Sequence, residues 1–417
     1  MFMNFVYRAE DYDRELRGYY GTGTFEIYMS GQFHPDLSYM SQKDLGTFFH
    51  EYVHFLQNVS TLWGIRAAMV INNDLCEFAR SLRELHEIHL PYRFNVSEEH
   101  ELNRRWLICS MGTPHDSFKI DRNIKSTINI CGVKEFPVSM HNVMCRFVDI
   151  NGIEREICLG ATIIKESMAA MCQSLVDPNA DHPDVPYNVV KVLAEHHFPN
   201  IANDTRKLIC LCFVALYSLD PGCALVRELI TANQNPSLTC QLIFENALLL
   251  DVVQDDRCLS VLSTFDDFVE QYKQSLRNIL ACELSYTGYL LDRIKLQNKV
   301  SPILDIVNTP NFTVNSIQKI IDYLGIPFVH QSDGKQFYPS MQGNEHFCQD
   351  IIEICGDNTT YRYFTNPDKH GGICPFMNIC GCDDMECWGE PWKHDDCIFE
   401  CGLSVLGAKG KRIFKDK

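Results

Sequence analysis

The chain has 417 residues, of which 46% are hydrophobic, and it carries a formal net charge of −17. That hydrophobic content is enough for a sizeable core, and the length allows one large domain or two to three smaller ones. The acidic balance argues against nucleic acid and against an anionic membrane surface as partners.

The sequence also gives no support for export or membrane insertion. The first ten residues lack the basic and then apolar pattern of a secretory signal. The longest apolar run, residues 208–219, is shorter than the roughly 20 residues that span a bilayer. We therefore expect a cytoplasmic protein whose 20 cysteines are reduced thiols, apart from those that bind metal.

The first 40 residues favour β structure. Residues 24–29 are strand-forming and follow a turn signal at residues 21–23, while Gly31 and Pro35 end the pattern. If this segment is an edge strand, it could bind an extended peptide by adding it to the sheet. The alternative is an ordinary core strand.

The motif H-E-x-x-H occurs at His50, Glu51 and His54. Ser41 and Asp44 predict the start of a helix, on which the two histidines lie one turn apart on the same face. Two neutral imidazoles at that spacing can bind one zinc ion, with Glu51 placed to accept a proton from water. The alternative is a pair of hydrogen-bonded core histidines without a metal.

A zinc ion held by two histidines needs a third protein ligand. Glu166 lies in the middle of a predicted helix, residues 161–173, that is apolar on most sides, so its carboxylate needs a partner. Asp74 and Glu77 follow the motif more closely and are the alternative third ligands of a compact site. His34 is a candidate by residue type only, and a surface position is its alternative.

Residues 105–160 predict a β insertion between the motif and the helix of Glu166. Short strands are expected at residues 117–121, 126–130, 143–150 and 153–158. The Asn151-Gly152 pair between the last two strands predicts a hairpin with a type I′ turn.

Residues 187–300 predict a largely helical lobe. Its helices are expected at residues 187–196, 207–219, 224–232 and 265–297. A histidine or tyrosine is needed to stabilise an oxyanion opposite the zinc, and the sequence offers Tyr187, His196, His197 and Tyr217 without choosing among them. Three cysteines of the lobe have apolar neighbours and are interpreted as small core residues: Cys210, Cys212 and Cys223.

The C-terminal region, residues 301–417, contains a predicted helix at residues 314–324 and a Cys-rich segment at residues 370–405. A small, loop-rich segment in a reducing compartment is commonly tied by zinc. We expect a second, structural zinc ion on Cys374, Cys380, Cys387 and Cys397. Substitutes among the ligands are Cys382, Cys401 and His394. Free thiols and disulfides are the alternatives, and the segment could also dock a protein partner.

The two helices with His50 and Glu166 resemble those of the gluzincin type of zinc metallopeptidase. In that group the second helix carries a Glu–small–x–small pattern, which is Glu166-Ser167-Met168-Ala169 in this chain. The resemblance implies that His50, His54 and Glu166 bind zinc and that Glu51 is the general base. Some members place an aspartate four residues after the glutamate to orient a histidine, but this chain has Ala170 there.

We therefore expect an α+β protein with a zincin-like domain over residues 1–300 and a C-terminal region from residue 301. The expected function is zinc-dependent hydrolysis of a peptide bond in a peptide or protein substrate, with Glu51 as the base. One alternative is a non-catalytic, metal-stabilised binding or regulatory protein. Another is a zinc hydrolase that acts on a non-peptide amide or ester.

Overall fold

The structure is a computed structural model that describes residues 17–112, 117–133, 140–254, 257–280, 282–296, 301–339, 349–366 and 398–415. It confirms a mixed α and β architecture. The helices are α1 (Gln42–Ser60), α2 (Leu62–Arg83), α3 (Glu98–Met111), α4 (Ala161–Ser174), α5 (Asp184–Tyr187), α6 (Val189–His197), α7 (Thr205–Ala215), α8 (Pro221–Gln234), α9 (Cys240–Leu248), α10 (Val261–Ile279), α11 (Tyr286–Leu296), α12 (Pro302–Asn308), α13 (Val314–Leu324), α14 (Gln349–Thr365) and α15 (Ile398–Val405). The strands are β1 (Gly18–Gly21), β2 (Glu26–Met29), β3 (Glu87–Leu90), β4 (Thr127–Val133), β5 (Met140–Val148), β6 (Glu154–Leu159), β7 (Asp251–Gln254), β8 (Arg257–Ser260), β9 (Phe328–Gln331), β10 (Gln336–Phe337) and β11 (Arg412–Lys415).

Helix α1 lies in the middle of the fold and starts where the sequence predicts. The Ser41 hydroxyl oxygen accepts the N–H of Asp44 at 3.1 Å and its O–H donates to the Asp44 carboxylate at 2.8 Å. Every residue of α1 from Leu45 to Ser60 is buried. Helices α2 and α4 and strand β1 pack against it. The apolar residues of the helix therefore hold the two histidines in a fixed position inside the protein.

Strands β1, β2, β9 and β10 form one sheet in that order. Strand β2 confirms the strand predicted at residues 24–29, but it is internal, because it pairs with β1 on one side and β9 on the other. Among the described strands, β1 lies at the edge of this sheet and beside α1. Strand β9 comes from the region after residue 301, so the domain boundary expected at residue 300 cuts through this sheet.

The β insertion is a three-stranded antiparallel sheet in the order β4-β5-β6. It starts later than expected, because residues 98–111 form helix α3 instead of β structure. The predicted strand at residues 117–121 is also absent. Only two isolated bridges occur there, from Phe118 to Val185 and from Ile120 to Asp149.

The hairpin between β5 and β6 is confirmed, but its turn is not type I′. That turn needs positive φ at both central residues, and Gly152 has φ +78° while Asn151 does not have a positive φ. Instead, the N–H of Gly152 donates to the carbonyl of Asp149 at 2.8 Å, and the N–H of Asp149 donates to the carbonyl of Ile153 at 2.9 Å. The loop therefore has three residues, and its glycine takes the left-handed conformation at the last of them.

Helices α6 to α11 form most of the region expected to be a helical lobe. Helix α8 contains the predicted helix at residues 224–232, and α13 matches the one predicted at residues 314–324. The single helix expected over residues 265–297 is wrong. It is two helices, because α10 ends at Ile279, Leu280 has extended backbone angles, and α11 begins only at Tyr286.

The Cys-rich segment is not tested by the structure. Cys374, Cys380, Cys382, Cys387, His394 and Cys397 lie outside the described residues, and Cys401 belongs to helix α15. Within the described ranges, no helix is both long enough and apolar enough to cross a membrane.

Candidate metal centre

Three predicted ligands converge where α1 meets α4. The Nε2 atoms of His50 and His54 lie 3.3 Å and 3.4 Å from the same carboxylate oxygen, Oε2 of Glu166. The three donor atoms all lie within 4.8 Å of one another. Both histidines are buried, and Glu166 is half-buried. The long insertion between the two helices therefore does not prevent Glu166 from meeting the motif.

The alternative third ligands lie elsewhere and have other partners. Asp74 accepts hydrogen bonds from His100 Nε2 and Arg104 Nε, each at 2.5 Å. Glu77 pairs with Arg80 at 2.8 Å. His34 is exposed, and its Nδ1 lies 2.9 Å from the backbone oxygen of Asp36. None of the three joins the group formed by the two motif histidines and Glu166.

Gln57 fixes the tautomer of His54. Its Nε2–H donates to the backbone carbonyl of Lys165 at 3.1 Å, which turns its Oε1 towards His54 Nδ1 at 2.8 Å. A carbonyl oxygen only accepts hydrogen bonds, so Nδ1 of His54 carries the proton. The neutral ring then has its lone pair on Nε2, which faces Glu166.

Gln173 has the same effect on His50. Its Oε1 lies 3.1 Å from His50 Nδ1 and 2.8 Å from His182 Nε2, and it accepts from both. His50 Nδ1 is therefore a donor, and its Nε2 lone pair also faces Glu166. Gln57 and Gln173 thus orient the two rings so that both Nε2 atoms face Glu166.

This arrangement fits a bound cation. Two lone pairs and an ionised carboxylate oxygen repel one another at 3.3–3.4 Å unless positive charge lies among them. Protons on both rings would place two imidazolium cations with centroids only 4.9 Å apart. A metal ion supplies the positive charge without bringing two imidazolium cations close together. Two imidazole nitrogens and a carboxylate oxygen are the protein ligands of many catalytic zinc sites.

The two carboxylates of the site differ in their pKa values. Burial alone would raise the pKa of Glu166, but charge attraction and hydrogen bonds from His54 and His50, which form when Nε2 of each ring is protonated in the metal-free site, hold it well below its ordinary value. Burial raises the pKa of Glu51 to about 7, although nearby His50 opposes the rise. Glu166 is therefore ionised at neutral pH, and Glu51 can gain and lose a proton there.

The Glu51 carboxylate has no hydrogen-bond partner among the residues that the structure describes. The backbone of edge strand β1 passes beside it at Gly18. A Cβ atom at Gly18 would lie 3.0 Å from Glu51 Cγ and 3.1 Å from its Oε1. Glycine thus allows the strand to approach the carboxylate closely.

Of the four candidates for oxyanion stabilisation, only Tyr187 lies beside the histidines. Its ring centroid is 5.8 Å from that of His50 and 4.6 Å from that of His182. His196 and His197 both contact the Ser126 hydroxyl instead. The Tyr217 hydroxyl donates to the backbone carbonyl of Ser60 at 2.8 Å and has a structural role.

The sequence analysis missed two ionisable groups of the site, His182 and Lys165. Burial lowers the pKa of His182 to about 4, so its ring is neutral at pH 7. Lys165 donates from Nζ to Asn58 Oδ1 at 2.9 Å. Burial lowers the pKa of Lys165 to about 8, against the attraction of Glu166 and Glu51.

Searches of protein-family models, of curated proteins and of solved structures gave no match to this chain. The chemistry of the site therefore carries the functional inference alone.

Proposed function

We propose that this protein is a zinc-dependent metallopeptidase of the gluzincin type. The observation that carries the proposal is the convergence of His50 Nε2, His54 Nε2 and Glu166 Oε2, with Nδ1 of each ring held by a glutamine oxygen. Zinc suits this set of two nitrogens and one oxygen because it is commonly bound by such ligands with one position left open.

A zinc ion bound there supplies a Lewis acid that acidifies water and polarises a carbonyl group. Glu51 takes the proton of the attacking water and passes it to the leaving nitrogen. Burial raises its pKa to about 7 in the metal-free chain, and the charge of a bound zinc ion would lower it, so the group can be ionised at neutral pH and accept the proton. Gln57 and Gln173 keep the two rings in the ligating tautomer throughout.

The substrate backbone can lie along β1. This strand lies at the edge of its sheet in the described part of the chain, and an extended peptide can bind a sheet by adding to it at such an edge. Gly18 of this strand lies close to Glu51, so a peptide paired with β1 would lie near the base. Tyr187, next to His50, is the candidate to donate its O–H to the oxygen of the scissile carbonyl.

The described cysteines support a reducing compartment, and we place the protein in the cytoplasm. Free thiols occur on buried and exposed positions alike, from Cys145 in the core to Cys131 on the surface. Proteins of oxidising compartments more often pair such residues.

The proposal is tested with zinc-loaded wild-type protein and the Glu51→Gln variant on a broad panel of peptides and folded proteins. We expect peptide-bond cleavage by the wild type, a loss of about 10²–10⁴-fold in Glu51→Gln, and equal zinc content in both. No cleavage of any peptide or protein by the zinc-loaded wild type would favour the binding-protein alternative. Cleavage of non-peptide amides or esters alone would favour the other hydrolase.

A further inference from the structure

A second group of metal-binding side chains lies between β5 and α8. The Nδ1–H of His141 donates to Oδ2 of Asp220 at 2.8 Å. One donor atom from each of His141, Asp220 and Cys223 lies within 4.8 Å of the other two. None of the three belongs to the site of His50, His54 and Glu166.

The start of α8 places two of these donors side by side. Asp220 is the N-cap, and Cys223 is the third residue of the helix, so both side chains lie at the first turn. Oδ1 of Asp220 accepts the N–H of Cys223 at 3.4 Å, which leaves Oδ2 turned towards His141. His141 is the second residue of β5 and comes from the other side. The donors are therefore positioned by two different elements.

We propose that His141, Asp220 and Cys223 form a second metal site that takes a divalent first-row transition ion, with zinc as the best fit. Zinc is bound in proteins by thiolate, imidazole and carboxylate at about 2.0–2.3 Å, which puts tetrahedral donors about 3.3–3.8 Å apart. To bind the ion, His141 must shift its Nδ1 proton to Nε2, and His141 and Asp220 must separate slightly from 2.8 Å to reach this spacing. Both side chains reach solvent, at 33% and 14% exposure, so this adjustment and the entry of an ion are open to them.

The charges and the thiol agree with this assignment. A thiolate and a carboxylate with a neutral histidine give a formal charge of −2, which a divalent ion neutralises. The Sγ atom of Cys223 has no hydrogen-bond partner in the described part of the chain, and the residue is half-buried. Cys210 and Cys212 are fully buried, as expected for core residues, whereas Cys223 differs from that expectation.

The bound ion would crosslink two elements of the fold. It would fasten the three-stranded sheet, through His141, to helix α8, which also packs against the helix that bears Glu166. A water molecule can complete the coordination, because the group is open to solvent. This site needs no catalytic activity and does not depend on the proposed peptidase reaction.

The test uses cobalt(II) and zinc(II) as probes on the full chain, with Cys223→Ser and His141→Gln as site variants and Cys131→Ser as the matched control. Cys131 is an exposed thiol outside the group. Thiolate bound to cobalt(II) gives an intense near-ultraviolet charge-transfer band, which a site of two histidines and a glutamate cannot give. The band therefore distinguishes this site from that of His50, His54 and Glu166, and the difference between the variants distinguishes it from any thiolate site that all of them share.

We expect Cys223→Ser and His141→Gln each to bind one metal ion fewer per chain than wild type and Cys131→Ser, with a weaker cobalt–thiolate band. The same metal count and the same band in all four proteins would overturn the proposal. Because His141 is partly exposed, His141→Gln keeps the test decisive if Cys223→Ser does not fold. Circular dichroism of each variant checks its folding.

Discussion

Nδ1 of His54 lies 2.8 Å from Oε1 of Gln57, one turn further along the same helix. The amide nitrogen of Gln57 donates to the backbone of Lys165 on α4, so its orientation is fixed by the second helix of the site. Helix packing thus sets the tautomer of a histidine in the candidate metal site. The same packing brings Glu166 to the two rings.

Replacing Gln57 with leucine should weaken zinc binding. The variant keeps the volume of the side chain but removes the acceptor for His54 Nδ1, so the ring is no longer held in one tautomer. We expect an affinity loss of about 10–100-fold, measured by competition with a zinc chelator. Gln274→Leu, at an exposed position of α10, is the control and should bind zinc as the wild type does. Equal affinities would refute the orienting role.

The activity should depend on the ionisation of Glu51. The base must be ionised to accept a proton; its pKa is about 7 in the metal-free chain, and the positive charge of bound zinc would lower it. We therefore expect kcat/KM to fall about tenfold per unit as the pH drops below the pKa of Glu51 in the zinc-loaded enzyme, and to level off above it. Rates measured from pH 5 to pH 9 on a cleaved peptide give this profile. If Glu51→Gln kept the activity and the pH profile of the wild type, Glu51 would not be the base.

Glu51 should also lower the stability of the metal-free protein at neutral pH. Its pKa rises from an ordinary value of 4.5 to about 7 on folding, so folding stability falls as the pH rises between these values. The amide of Glu51→Gln does not ionise, so the variant does not lose folding stability in this way as the pH rises. We expect the variant to gain up to about 3 kcal/mol over the wild type at pH 8 and little at pH 4. Urea unfolding with chelator measures the gain, and Glu245→Gln on the surface should show none.

Gly18 should matter for catalysis and not for metal binding. A Cβ atom there would press on Glu51, whose carboxylate must stay in place for proton transfer. We expect Gly18→Ala to lower kcat/KM by about tenfold or more with unchanged zinc affinity. In Gly132→Ala a Cβ would meet no atom within 4 Å, so this control should keep full activity. Equal activity of the two variants would show that β1 does not constrain Glu51.

Asp74 should contribute to folding stability and not to zinc binding. It is buried and pairs with both His100 and Arg104, and its removal leaves those groups without their acceptor. We expect Asp74→Ala to lower the free energy of unfolding by about 3–5 kcal/mol while zinc content stays the same. Glu101→Ala, which removes only a longer and more exposed contact to Arg104, should cost less than about 1 kcal/mol. A loss of zinc in Asp74→Ala would contradict this expectation and indicate that Asp74 is a zinc ligand.

The core of the site could be predicted because its signals are local. The spacing of His50 and His54 on one helix, and the cap at Ser41, need only the periodicity of the α-helix. Glu166 was predicted because a carboxylate in an apolar helix needs a partner. Its partners in the structure are His50 and His54. They lie far from Glu166 in the sequence, so no local pattern could identify them.

Other parts depend on tertiary packing and could not be predicted. His182 and Gln173 have no recognisable spacing to the motif, and only the folding of the loop after α4 joins them to His50. Gln57 did offer a signal, because it lies one turn after His54 on the same face. The pairing of β9 with β2 joins residues about 300 positions apart, so composition alone suggested a boundary there instead.

The most direct test of the metal centre compares bound zinc per chain in wild type, Glu166→Gln and Glu77→Gln. All other zinc sites are shared by the three proteins, so the difference in zinc reports the ligand alone. We predict that Glu166→Gln loses one zinc ion, or binds it far more weakly, while Glu77→Gln matches the wild type. Unchanged zinc in Glu166→Gln would contradict the assignment of His50, His54 and Glu166 as the zinc site.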